Sequence, residues 1–98
     1  MEAEAIIDDE YPVSSSAVAY IVVWKLPRHL PGSRHHYKYR LSLVDDGVNI
    51  LRYDNEAGKG DHRHWGRREF AYDFVDLEQL QLDFWKEVEE WQRTKRIP

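Results

Sequence analysis

No cysteine occurs among the 98 residues of this chain. That absence excludes disulfide staples, thiolate metal sites and a cysteine nucleophile, and it fits a reducing compartment. Long apolar runs are also missing. The longest, Ala17 to Trp24, has eight residues, well short of the roughly 20 that a membrane-spanning helix needs. Positive charge is absent from the first 24 residues, which hold five acids and no Lys or Arg, whereas an export signal opens on basic residues. The expectation is a soluble, cytoplasmic protein with no membrane association. Gly-x-Ser-x-Gly elbows, P-loops, Rossmann glycine triplets and repeats at solenoid spacing are missing as well, which removes the common hydrolase, nucleotide-binding and array architectures.

What the chain does have is aromatic bulk and segregated charge. Four Trp, six Tyr and three Phe supply large rings for one core in a chain of this length. The net charge of -4 hides a basic centre: residues 25–68 carry ten bases and five acids, residues 69–98 four bases and eight acids. All five histidines, at 29, 35, 36, 62 and 64, fall in that centre. A basic, His-rich block between acidic flanks suits an anionic partner such as phosphate or RNA at one local face.

Residues 1–16 lack a sustained period and end in Pro12 and Ser14-Ser15-Ser16, so they read as an acidic, loosely ordered arm preceding a domain over 17–98. Ile6-Ile7 or Tyr11 offers that arm a way to dock as a short strand. Ala17 to Leu26 is rich in β-branched and aromatic residues and suits a mostly buried strand. Pro27 to His35 is a basic loop carrying Arg28, His29, Arg34 and His35, which either borders a site or simply connects. Tyr37 to Val44 alternates as a half-buried strand.

Asp46-Gly47 then signals a two-residue hairpin turn, with Val48 to Asp54 returning. Centred there, the turn opposes Leu41 to Arg52, Arg40 to Tyr53 and Tyr39 to Asp54. Arg52 and Asp54 then share the Tyr39 face; a one-residue bulge shuffles these faces. His62 to Tyr72 reads as a further strand or strand pair broken at Gly66.

Asp76 caps a helix, with Gln79 completing a capping box and Val75 stapling onto Leu80. Leu77, Leu80, Phe84, Val88 and Trp91 form its apolar stripe, widened by Leu82 and Trp85. Arg93, Lys95 and Arg96 suit the negative end of the helix dipole, and Pro98 closes the chain. The fold class expected is α+β, an antiparallel sheet of four or five strands packed on one face by a C-terminal helix.

Chemistry concentrates in Arg52 to His64, thirteen residues holding two Asp, two His, two Arg, one Lys and two Gly. Gly58 and Gly60 flank Lys59, allowing positive-φ backbone and close approach to an anion. His62 and His64 lie on one side of an extended segment. A polar hairpin loop accounts for the same Asp, Asn and Gly residues by turn chemistry alone.

Taken as a site, the stretch contains the parts of a metal-independent ribonuclease, with no cofactor called for. His62 and His64 serve as base and acid; Lys59, Arg52 and Arg40 meet the phosphorane; Asp61 or Asp54 orients an imidazole; Tyr39 or Tyr53 stacks on a base. Two alternatives stay open. One is a non-catalytic nucleic-acid or phosphate-binding module. The other is a metal-dependent phosphodiesterase ligated by His62, His64 and Asp54 or Asp61, which Lys59, Arg63 and Arg67 oppose by charge. Trp24, Trp85 and Trp91 read as core, whereas Trp65 is a candidate to line the site.

Three separated blocks carry a family resemblance: His35-His36-Tyr37-Lys38-Tyr39-Arg40-Leu41, Leu51-Arg52-Tyr53-Asp54-Asn55-Glu56 and Lys59-Gly60-Asp61-His62-Arg63-His64, followed by Asp83-Phe84-Trp85 in an aromatic-rich helix. In order and spacing over about residues 20–92 these resemble the TumE family of small toxins. The resemblance implies a toxin of a toxin-antitoxin module, encoded beside a helix-turn-helix antitoxin of the TumA type. It marks Tyr39, Arg40, Arg52, Tyr53, Asp54, Asn55, Lys59, Gly60, Asp61, His62 and His64 as motif positions without assigning them roles.

Overall fold

A computed structural model describes residues 3–96; the side chains of Lys95 and Arg96 lie outside the described part, as do Met1, Glu2, Ile97 and Pro98. Six strands form one antiparallel meander in chain order, followed by a helix. The strands are β1 (Glu4–Pro12), β2 (Ala17–Lys25), β3 (Tyr37–Asp45), β4 (Val48–Glu56), β5 (Gly60–Trp65) and β6 (Arg68–Ala71), and the helix is α1 (Leu77–Arg96). The class is α+β as expected, with six strands in place of four or five.

The additional strand is β1, drawn from the segment whose composition suggests a loose arm. It pairs along β2 from Glu4–Lys25 to Pro12–Val18. Its side chains are nearly all exposed, but Ile7 packs against the core and the Tyr11 ring meets Trp85 edge-on at 5.5 Å. The arm docks as a strand through these residues together with its ladder hydrogen bonds. The segment around Gly66 resolves into the pair β5 and β6.

One face of the sheet is covered by α1. Ala19, Ile21 and Val23 of β2, Tyr39, Leu41 and Leu43 of β3, and Leu51 and Tyr53 of β4 join Leu80, Phe84 and Val88 of α1 in one buried cluster. Leu77 and Trp91 pack at its margin, so the expected stripe is the buried one. Burial of each Leu, Ile or Phe in such a cluster contributes about 1.5–3 kcal/mol. Leu82 is exposed, however, and does not widen the stripe.

Asp76 caps the helix as its spacing predicts, its carboxylate accepting from the Gln79 amide at 2.7 Å. The Gln79 side chain turns forward to Asp83 instead of closing a capping box. Val75 points to solvent, so no staple onto Leu80 forms. Arg93 is exposed at the helix end, while Lys95, Arg96 and Pro98 fall outside the described side chains. No described helix is long and apolar enough to cross a membrane.

The β3–β4 hairpin turns at Asp46 and Gly47, both at positive φ (50° and 78°), the geometry that matches strand twist in a two-residue loop. A bulge between Leu43 and Val44 then shifts the ladder by one: Leu41 faces Tyr53 and Arg40 faces Asp54. That reverses the faces drawn from an unbulged hairpin. Tyr53 lies under the helix with Tyr39, and Arg52 and Asp54 lie on the opposite, uncovered face with Arg40.

Candidate functional site

Alternation along β3, β4 and β5 divides the motif residues between the two faces of the sheet. Two cross-strand rows on the uncovered face follow from the ladder pairs: Arg40, Asp54 and His62 in one, and Ser42, Arg52, His64 and Glu69 in the next. The histidines therefore do share a side, with ring centroids 6.5 Å apart.

Their nitrogens are engaged differently. His62 places Nε2 at 2.8 Å from the Lys59 carbonyl, which fixes a proton there, and Nδ1 at 3.1 Å from the Glu69 carboxylate. That Nδ1 is buried and the approach lacks hydrogen-bond alignment. His64 receives the Arg52 Nη2 donor on Nε2 at 3.2 Å. A guanidinium only donates, so this nitrogen carries a lone pair. Asp54 pairs with Arg52 by charge: its Oδ2 lies 3.0 Å from the buried Nε, an approach that lacks hydrogen-bond alignment, while Asp54 Oδ1 lies 3.4 Å from His64 Nε2. Arg40 is exposed beside this group and forms no ion pair or hydrogen bond among the described residues.

Lys59 sits at the β4–β5 turn, its ammonium 3.7 Å from Glu56 and largely exposed. Gly60, at φ 77°, starts β5; a Cβ there is strained by backbone conformation, although the space is open.

The remaining predicted residues lie on the helix side. Asp61 does not orient His62 or His64: its Oδ2 accepts from the Tyr39 hydroxyl at 2.6 Å and meets His35 Nε2 at 2.8 Å. His35 Nδ1 accepts the Tyr37 amide, so both ring nitrogens are satisfied by the Nε2–H tautomer, and Phe74 stacks on the ring at 3.9 Å. The loop bearing His35 is docked on the β4–β5 turn by the Gly58 amide, which donates to the Pro31 carbonyl at 2.6 Å.

Tyr53 donates its hydroxyl to Glu87 of α1, and Arg63, the residue between the two histidines, bonds the same carboxylate at 2.6 Å. Asn55 is buried, accepting the Tyr39 amide at 3.0 Å and donating to the Tyr37 carbonyl at 2.7 Å. Tyr39 and Tyr53 are only 1–2% exposed, and rings buried to this degree cannot stack on a base. Burial, followed by the hydrogen bonds to Asp61 and Glu87, holds both phenols well above their ordinary pKa. They stay neutral structural groups at any physiological pH.

Trp65 is likewise on the helix side, packed against the core, away from the histidines. Two contributors to the uncovered face were missed from sequence. Glu69 follows from the Gly66-Arg67 turn that pairs His64 with Glu69. Trp24 reads as core because β2 is apolar throughout, yet it is 40% exposed on the uncovered side. No group of three or more His, Asp or Glu side chains able to hold a metal ion occurs among the described residues. The space between His64 and Asp54, where a cation would sit, holds the Arg52 guanidinium.

The sequence model of the family described as Toxin TumE matches residues 2–92. No curated protein and no solved structure gives a match. A family match over nearly the whole chain, with its motif residues forming two ordered clusters back to back across one sheet, places this protein in the TumE toxin family.

Proposed function

We propose that this protein is the toxin of a toxin-antitoxin module and acts on RNA, as a ribonuclease, through the uncovered face of its sheet. The observation that carries the reading is the pairing of a lone-pair imidazole nitrogen, His64 Nε2, with a protonated one, His62 Nε2, on adjacent rows of that face. A 2′-hydroxyl attack needs one proton acceptor and one donor, and effective ones titrate near neutral pH, as imidazole does.

Arriving phosphate draws Arg52 from His64 and, with Arg40 and Lys59, takes up the charge developing on phosphorus. The freed His64 Nε2 accepts the 2′-hydroxyl proton, and the 2′-oxygen bonds to phosphorus. The bond from phosphorus to the 5′-oxygen breaks. His62, acting as the imidazolium with Nδ1 beside the Glu69 carboxylate, turns its Nε2–H from the Lys59 carbonyl and supplies that proton to the oxygen, becoming neutral. The products are a 2′,3′-cyclic phosphate and a 5′-hydroxyl. Asp54 positions Arg52 throughout, and Gly60 lets the turn carrying Lys59 approach the backbone of the RNA. Such a target places the toxin's action in the cytoplasm.

Membership of a toxin family implies an antitoxin partner, which we take to be a helix-turn-helix protein of the TumA type. Glu4, Asp8, Asp9 and Glu10 make the β1 edge acidic, which favours a basic surface on that partner.

The rival is a phosphate-binding module without catalysis, favoured by the engagement of His62 Nε2 with the Lys59 carbonyl in the free protein. The test incubates purified protein with single-stranded RNA and with its 2′-deoxy counterpart, with and without chelator. Cleavage of RNA alone, insensitive to chelator and lost by about 10²-fold or more in His62→Ala and in His64→Ala, is the expected result. Binding without cleavage moves the reading to the rival, and chelator-sensitive cleavage moves it to a metal-dependent phosphodiesterase.

A further inference from the structure

The uncovered face continues past the histidines onto β3 and β2, and there its character changes. An uncovered sheet face ordinarily alternates to polar residues, yet β2 presents Val18, Tyr20, Val22 and Trp24 on it. The ladder places Tyr20 opposite Ser42, Val22 opposite Arg40 and Trp24 opposite Lys38. Neither ring makes a hydrogen bond or ring contact among the described residues, and Trp24 is 40% exposed. At the far side, β1 sets Glu10 opposite Tyr20 and Asp8 opposite Val22.

Across the strands the face therefore runs from carboxylates on β1, through neutral rings on β2, the cations Lys38 and Arg40 on β3 and the Arg52–Asp54 pair on β4, to the imidazoles on β5 beside Glu69 of β6. We infer that β2 and β3 form a binding track for single-stranded RNA, in which Trp24 and Tyr20 stack on bases and Arg40 holds a phosphate between those rings and the histidine pair. The inference rests on the ribonuclease reading for where the strand ends, and on the face itself for how it is held.

Three strand spacings of about 4.8 Å separate β2 from β5, so the rings lie about 14 Å from the histidines. A strand crossing that distance meets the aromatic rings with its bases, whose π faces stack without regard to sequence, and meets Arg40 with its backbone. The carboxylates of Asp8 and Glu10 close the track at β1. A broad polyanion such as a duplex laid over the whole sheet would press its phosphates against them, which selects the narrow single strand.

The test is equilibrium binding of a fluorescently labelled, fully 2′-deoxy, single-stranded oligonucleotide of about eight nucleotides, within the usual range for such grooves. This probe cannot be cleaved, so binding is read whether or not the protein is a ribonuclease. Trp24→Ala and Tyr20→Ala should each weaken binding roughly tenfold or more, Trp24→Phe should keep most of it, and Arg40→Ala should flatten the salt dependence by about one charge. Circular dichroism checks that each variant is folded.

A folded Trp24→Ala that binds like the wild type overturns the track. Trp24-dependent binding with no cleavage of RNA supports the track and overturns the ribonuclease reading alone.

Discussion

Arg52 donates to Nε2 of His64 at 3.2 Å while the Asp54 carboxylate pairs with it by charge, 3.0 Å from an Nε that lacks an aligned hydrogen bond, so a single guanidinium joins a carboxylate to an imidazole on the same face. The charge meets Asp54 and the Nη2 donor reaches His64 from a planar group, and lysine reproduces only the first. Arg52→Lys is expected to lower RNA cleavage by about 10²-fold, the scale found on removing one transition-state donor, with little change in unfolding midpoint. Single-turnover cleavage compared with the midpoint in urea checks it; an active lysine variant would reduce Arg52 to a source of charge.

Asp61 is expected to act on stability. Asp61→Ala leaves the buried Tyr39 hydroxyl without its acceptor, a loss of about 1–3 kcal/mol. Adding Tyr39→Phe removes the stranded group and should recover part of that loss, a coupling that a double-mutant cycle in urea measures. Apparent activity should fall only as the folded fraction falls.

Asn55 stands in for ladder bonds between β3 and β4 near the end of the hairpin. Asn55→Ala strands the Tyr39 amide and the Tyr37 carbonyl, and two such losses amount to about 2–6 kcal/mol. Chemical denaturation gives the value directly, and hydrogen exchange should show the Tyr39 amide losing protection first.

Three phenols set the alkaline limit. Tyr39, Tyr53 and Tyr72 are each raised above the ordinary value of 10.0, chiefly by burial and then by bonds to Asp61, Glu87 and Asp83. The folded protein thus keeps protons that the unfolded chain gives up. Their contribution is fully present below pH 10 and is lost as pH rises beyond it. The urea midpoint should be insensitive to these groups from pH 7 to 9 and decline above about pH 10, with tyrosinate absorbance appearing together with unfolding. Tyr72→Phe should soften the decline.

Much of this structure was legible beforehand where a residue's neighbours lie close in sequence. The Asp46-Gly47 turn, the alternation from Tyr37, the Asp76 cap and the Leu80–Phe84–Val88 stripe all express local geometry. The bulge at Leu43–Val44 is a one-residue irregularity with no compositional mark, and it was enough to exchange the faces of Arg52 and Tyr53.

Asp61 does meet an imidazole, but it is that of His35, 26 positions away, brought in by a loop whose seat on Gly58 is visible only in three dimensions. Trp24 reads as core because a continuous apolar strand reads as buried on both sides. Here only one side is covered, so the same run supplies core residues and an exposed ring.

The meander order of the sheet bears on how the toxin is made. Each hairpin can close as soon as its second strand has left the ribosome, since every ladder joins consecutive strands. The inner face gains its cover only when α1 arrives, after Leu77. Until then Ile21, Leu41, Leu43 and Tyr53 face water, and a chain halted at that stage is a ready client for chaperones and proteases. A cell translating this protein thereby has an interval in which the sheet exists and the toxin does not.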